Sequence, residues 1–199
     1  MTGWKPVTTN ETTRTIDRTV HGFCRRLPPC HGGPPMPIDA IRQATADDLD
    51  DLLVVLRAAF GSQARELGLD AESAPWHVAF RGAERTAHEM SYLTFFMIIA
   101  DGRPAGCIAI QNDVEPEYGG DGYIGRVAVH PDYRGRGYAR LLMEFAETAL
   151  RDRGAKRVRL LVLSVLDYLV RFYASQGYVT VGHHAFRDHD VTEMDKPLI

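Results

Sequence analysis

The stretch Gly122–Leu150, GYIGRVAVHPDYRGRGYARLLMEFAETAL, decides how this chain is read. A strand with an apolar edge at Ile124, Val127 and Val129 stops at Pro131. A helix follows, in which Ala139, Leu142, Met143, Ala146 and Leu150 recur at helical spacing and pack one face against a sheet. Between them lies a loop of Arg134, Gly135, Arg136 and Gly137. Glycines without a Cβ let backbone N–H groups approach a bulky anion. The helix start adds unpaired donors and the positive dipole end, worth up to about 2 kcal/mol to an anion. Arg134 and Arg136 add charge-assisted donors suited to phosphate oxygens. Tyr133–Ala139 therefore reads as a pyrophosphate cradle.

Two nucleotide motifs fail against this loop. No Gly-Lys-Ser/Thr follows a glycine at the phosphate-loop spacing, and Arg140 stands where a dinucleotide fingerprint needs its third glycine.

Working outward, Ile38–Ala44 reads as a short strand. A helix follows with Thr45 as N-cap, Asp48 three residues on, and Leu49, Leu52, Leu53, Leu56 and Phe60 on one face. A second helix falls within Trp76–Met90. Tyr92–Ala100 and Ala105–Gln111 form a hairpin about a four-residue turn, Asp101-Gly102-Arg103-Pro104. After a polar loop, Asn112–Gly122, come a strand at Tyr123–Val129, a helix at Arg136–Arg153 and a strand at Arg157–Leu163. A helix in Asp167–Gln176, a strand in Tyr178–His183 and a short last strand near Val191–Leu198 complete the order. The fold class is α/β: a mixed sheet with helices on its faces.

The 199 residues suit one sizeable domain, 38–199, preceded by a leader at 1–37. That leader ends in LPPCHGGPPMP, five prolines and two glycines in eleven residues, and lacks the apolar periodicity that would offset the entropy of ordering it. Its His21, Cys24, Cys30 and His31 match no familiar zinc spacing. The net charge of -3 argues against a nucleic-acid binder, leaving the basic run Arg151, Arg153, Lys156, Arg157 and Arg159 as a solvated face. The longest apolar run, Tyr92–Ala100, is strand-sized, so no membrane partner is expected. Three cysteines without a framework fit a reducing cytoplasm.

The cradle resembles the acyl-CoA-binding motif of the GNAT superfamily of N-acyltransferases. The hallmark R/Q-x-x-G-x-G/A falls on Arg134–Ala139, after a similar V-A-V-H-P-D-Y. About 35 residues on, F-Y-x-x-x-G-Y (Phe172, Tyr173, Gly177, Tyr178) and the closing Met194-Asp195-Lys196-Pro197-Leu198 also match. The resemblance implies a mostly antiparallel sheet splayed at its central strands. It implies acetyl-CoA as cosubstrate, with Val127, Ala128 and Val129 against the pantetheine arm. Arg134, Gly135, Arg136, Gly137, Tyr138 and Ala139 would surround the pyrophosphate. The acceptor would be a small-molecule amine or a protein amino group, and a homodimer is one possible assembly. Tyr173 is the family-matched proton donor to the departing thiolate, and the Val127 N–H is the oxyanion donor.

Two departures from the family pattern stand out. The region that carries a glutamate in many relatives reads Tyr123-Ile124-Gly125-Arg126, and the late Asn-x-x-Ala has become Leu166 and Leu169. His130 is a candidate base because its free pKa is near 6.5, beside a water chain or a loop carboxylate. The losses also admit a non-catalytic acyl-CoA-binding regulatory module. In the loop, Asp113, Glu115, Glu117 and Asp121 would attract a cationic amine, or serve only to solvate a connection.

Residues 1–35 are expected to be dispensable, with Met36 as a candidate start of the functional chain. Limited proteolysis should leave a folded, active core beginning near Met36. A chain starting at Met36 that fails to fold would refute this.

Overall fold

Seven strands line up in the order β1-β2-β3-β4-β5-β7-β6 in a computed structural model that describes residues 40–112, 122–187 and 189–198. The leader, its His21, Cys24, Cys30 and His31, and the acidic residues Asp113, Glu115, Glu117 and Asp121 lie outside the described residues. The strands are β1 (Ala40–Gln43), β2 (Thr94–Ala100), β3 (Arg103–Gln111), β4 (Gly122–Val129), β5 (Arg157–Leu163), β6 (Val179–Phe186) and β7 (His189–Pro197). The helices are α1 (Leu49–Glu66), α2 (Ala83–Met90), α3 (Tyr138–Asp152) and α4 (Asp167–Ser175). Only β4 and β5 run parallel; the other neighbours are antiparallel. The expected mixed, mostly antiparallel sheet is therefore present.

Strict alternation divides the core into two layers. Phe95, Met97, Cys107 and Ala109 face Leu52, Val55 and Leu56 of α1. Phe96, Ile98, Ile108 and Ile110 face Leu142, Met143 and Leu150 of α3, with Tyr173 of α4 in the same layer. A sheet buried on both faces needs continuous apolar strands, which TFFMIIA in β2 supplies. The capping pair read at Thr45 and Asp48 is present, but Thr45 caps a single tight turn, Ala46–Asp48, and Asp48 caps α1: Asp48 Oδ2 accepts from the Thr45 N–H at 2.7 Å, and Arg42 holds the same carboxylate at 2.6 and 2.8 Å.

Three local expectations need correction. The β2–β3 turn has two residues, because Asp101 and Gly102 both take positive φ (52° and 67°) and Ala100 pairs directly with Arg103. This is the Asp-Gly hairpin turn whose twist suits the strands it joins. The last strand is nine residues long, since β7 pairs with both β5 and β6. Helix α3 begins at Tyr138, two residues later than read, because Gly137 caps it at φ 83°.

The feature that positions the site is in β4. Cys107 pairs with Ala128 and Ala109 with Gly125, leaving Arg126 and Val127 opposite the single residue Ile108. This is a β-bulge, and Arg126 takes φ +54° to make it. On its other side β4 meets β5 only at Gly122–Val158 and Tyr123–Arg159, then parts from it. The expected splay lies there.

A buried ion cluster anchors the bulge. Glu89 of α2, 2% exposed, accepts from Arg126 Nε at 2.9 Å and Nη2 at 2.6 Å, and is also paired with Arg81. Burial pushes the Glu89 carboxyl up, but the hydrogen bond and charge of Arg126, with Arg81 and Arg85, outweigh it and hold it below its ordinary value. Glu89→Gln should cost about 3–5 kcal/mol in urea unfolding at neutral pH, because two guanidinium groups lose a buried partner. The lowered carboxyl contributes stability above its unfolded value near 4.3 and loses it as pH falls through the lower folded value. The gap between wild type and variant should therefore shrink below about pH 4.

Candidate active site

The cradle is formed where β4 hands over to α3. His130 ends the strand, Pro131–Tyr133 makes one tight helical turn, and Gly135 and Gly137 both take positive φ (77° and 83°). Leu141 donates to Gly137 at 3.1 Å, the helical bond next to the cap, so the N–H groups of Tyr138 and Ala139 at the helix start face outward from the ladder. A depression of about 240 Å³ opens over them, lined by Val129, Tyr133, Arg134, Gly137 and Phe172 among others. Its chemistry fits a pyrophosphate: backbone donors, a helix N-terminus and two glycines that keep the approach open.

The two arginines of the motif differ in role. Arg136 lies over the Tyr133 ring at 5.1 Å. Arg134 turns to α1 instead, donating to Ser62 Oγ at 2.7 Å and to the Ala59 carbonyl at 3.2 Å. It ties the cradle loop to α1 and offers the depression its backbone.

Along β4, Val127 and Val129 are half-buried against the α3 layer and Ala128 is buried on the α1 side. Past Tyr123 this strand has no partner on the β5 side, so its main chain borders an open wedge. Val127 belongs to the bulge itself. An amide-bearing arm can bond to such an edge as a strand would.

Tyr173 of α4 packs in the α3-side layer, near Tyr123 where β4 parts from β5. It is 8% exposed, and among the described residues its hydroxyl has no hydrogen-bond partner. The nearby Tyr178 differs, donating to Glu147 at 3.0 Å. Burial, with the neighbouring phenols of Tyr123 and Tyr168, pushes Tyr173 above the ordinary phenol value, so it keeps its proton at neutral pH. The Gly-Tyr of the late motif has a local reason: Gly177 at φ 89° ends α4, and Tyr178 then anchors on α3.

His130 is drawn into local structure. Its Nδ1 accepts from the Asp132 N–H at 3.4 Å, and its ring stacks edge-on near Tyr133, 6.1 Å away. It borders a second surface depression, with Asp51, Asp101 and Arg136, in which Tyr173 takes no part. Cys107 is equally unsuited to covalent chemistry, since burial pushes its thiol up to about 12.

Sequence reasoning missed the groups on the far side of the wedge. The carboxylate absent from β4 arrives from α2 as Glu89, held by Arg126 and Arg81. Tyr123 lies within electrostatic reach of Arg126, Glu89, Tyr92 and Arg81, and of Tyr173, linking this cluster to Tyr173. The one available signal was a glutamate on the inward face of a short helix. Over the same side, Trp76 packs on Phe186 (5.3 Å) and His189 (5.6 Å) of the β6–β7 hairpin, while Tyr168 donates to Glu66 at 3.2 Å. These contacts bridge the two halves of the sheet where β4 and β5 part.

Comparison with known proteins agrees with this geometry. The family model for the Acetyltransferase (GNAT) family matches residues 58–178. No curated protein matches the chain. Among solved structures, it is similar to the PaiA N-acetyltransferase of Thermoplasma acidophilum in complex with coenzyme A, at 19% identity over 81% of this chain and 99% of that one, TM-score 0.67. It is also similar to the ribosomal-protein-S18-alanine N-acetyltransferase of Escherichia coli, at 20% identity over 80% and 93% of the two chains, TM-score 0.61. Identities this low speak for the fold, whereas the family match spans the cradle, the bulged strand and Tyr173. The chain belongs to the acetyltransferase (GNAT) family.

Proposed function

We propose that the protein is an N-acetyltransferase that moves the acetyl group of acetyl-CoA to a primary amine. The observation that carries this is the Tyr173 hydroxyl, without a hydrogen-bond partner among the described residues and near Tyr123 on a bulged strand that leads straight into an anion cradle. Acetyl-CoA would supply the acetyl group as a thioester: the amide C–N bond forms as C–S breaks, the amine gives up a proton, and the thiolate takes one.

The residues divide that task. The N–H groups at the start of α3 hold the pyrophosphate, and the β4 edge at Val127 and Val129 aligns the arm. The Val127 N–H faces the developing oxyanion. Tyr173 donates to the leaving sulfur. From an ordinary phenol near 10 to a thiol near 8.5, complete proton transfer is uphill by about 2 kcal/mol. The raised Tyr173 makes it steeper, so its contribution is a strong hydrogen bond with the proton then exchanged with solvent. With His130 capping its own turn and Glu89 doubly paired, proton removal from the amine falls to water. A lysine-like amine is neutral in only about one molecule in a thousand or fewer at pH 7, so rate should rise with pH above neutrality.

One observation favours a second reading, an acyl-CoA-binding regulator without turnover: Glu89, the carboxylate that the described residues bring to the bulge, is locked between two arginines. Thiol release from acetyl-CoA in the presence of a broad amine panel separates the two. No release with any amine, despite tight binding, would favour the regulator.

Two substitutions test the site. Tyr173→Phe should lower kcat by about 10²-fold or more with little change in KM for acetyl-CoA. An unchanged kcat, with chemistry rate-limiting, would return Tyr173 to a packing role. Gly137→Val forces a β-branched residue to φ 83° at the helix cap. Calorimetry should show at least several-fold weaker acetyl-CoA binding by a chain that still folds. An affinity equal to wild type would remove the cradle from the site.

A further inference from the structure

The geometry points to an acceptor that carries a carboxylate close to its amine, recognised by Arg81 and Arg126. This rests on the acetyl-transfer reading and names the substrate class that reading leaves open.

The argument begins with a charge imbalance. At the bulge, two guanidinium groups with side chains 15% and 20% exposed share one carboxylate, Glu89. Arg81 also donates through Nε to the Trp76 carbonyl at 2.9 Å. Arg126 spends Nε and Nη2 on Glu89. Among the described residues, the carboxylate is consumed and one positive charge is left over. A third arginine, Arg85, stands near on exposed α2 and adds to it. Arginine cannot shed its proton to escape burial, so an uncompensated guanidinium remains a cost until an anion arrives.

Position gives the surplus a use. Arg126 adjoins Val127, the oxyanion donor, in the same bulge. Arg81 follows Trp76, whose ring meets the β6–β7 hairpin, so the cation lies under the bridge that spans the wedge. An anion held there is beside the site of transfer and on the opposite side from the pyrophosphate cradle. Planar, forked guanidinium groups match a carboxylate, and an α- or β-amino carboxylate spans the short distance from such a clamp to the acyl carbon. A purely cationic amine would meet like charge at the same place.

The experiment compares each acceptor with its own amide on the full chain at saturating acetyl-CoA, following thiol release. Glycine, L-alanine, L-glutamate and β-alanine are set against their carboxamides, with spermidine as the cationic comparison. The amide's amine is less basic and more fully neutral, so intrinsic reactivity favours the amide and any opposite preference is the protein's. Expected is a kcat/KM at least about tenfold higher for a carboxylate acceptor than for its amide, the size of a charge-assisted pair lost. Arg81→Gln should erase that preference through KM for the amine, leaving KM for acetyl-CoA unchanged, and Arg81→Lys should restore part of it. As a check on unmodified protein, propionate should compete with the amine while propionamide does not. Equal use of acids and amides, or preference for spermidine, would overturn the inference while leaving acetyl transfer standing. No transfer to any amine would overturn both.

Discussion

Between Gly125 and Ala128, β4 has two residues where β3 has one, and the extra residue must go somewhere. It goes into Arg126 at φ +54°, a conformation that costs a side-chain-bearing residue roughly 1–2 kcal/mol. That local cost is offset by tertiary contacts, since the same side chain forks onto Glu89 and docks α2 against the strand. The bend leaves β4 unable to follow β5 beyond Tyr123. This misfit leaves β4 an edge without a β5 partner beyond Tyr123 among the described residues, with Val127 in the bulge beside it.

The wedge is electrostatically ordered. At one end the glycine-capped start of α3 presents backbone donors and a dipole. At the other, Arg81 and Arg126 outweigh Glu89. Between them stand the phenols of Tyr123 and Tyr173, neutral and retaining their protons because burial penalises the phenolate. A neutral centre between two positive ends suits a reaction in which charge appears only transiently, on an oxygen and then on a sulfur.

Stability and function share parts here. Arg134 looks like a ligand-binding residue, yet it fastens the cradle loop to α1 through Ser62 and Ala59. Glu147, buried on α3, joins Tyr178 and Lys196 and so fixes the end of α4 relative to β7. Tyr178 takes on the anchoring, while the neighbouring Tyr173 hydroxyl has no hydrogen-bond partner among the described residues. The Trp76 contact with the β6–β7 hairpin links the two halves of the sheet where β4 no longer pairs with β5 beyond Tyr123.

Periodicity and local chemistry made most of this legible in one dimension. Alternating and helical spacing located each element, because burial of one face imposes a period whatever the surroundings. The cradle was equally readable, since its glycines, arginines and helix start are contiguous and its anion chemistry needs nothing distant. The two-residue turn at Asp101-Gly102 and the full length of β7 were less so: a hairpin tightens, and a strand lengthens, when its neighbours offer hydrogen bonds. His130 suggested a base from its position, but the Asp132 N–H two residues on had first claim on its ring. Glu89 and Arg126 lie 37 residues apart, and nothing in either neighbourhood names the other. The anion cradle was thus determined by the sequence itself, because its donors are neighbours in the chain. The far side of the wedge was decided only by tertiary structure, because a buried charge takes its meaning from partners that folding brings to it.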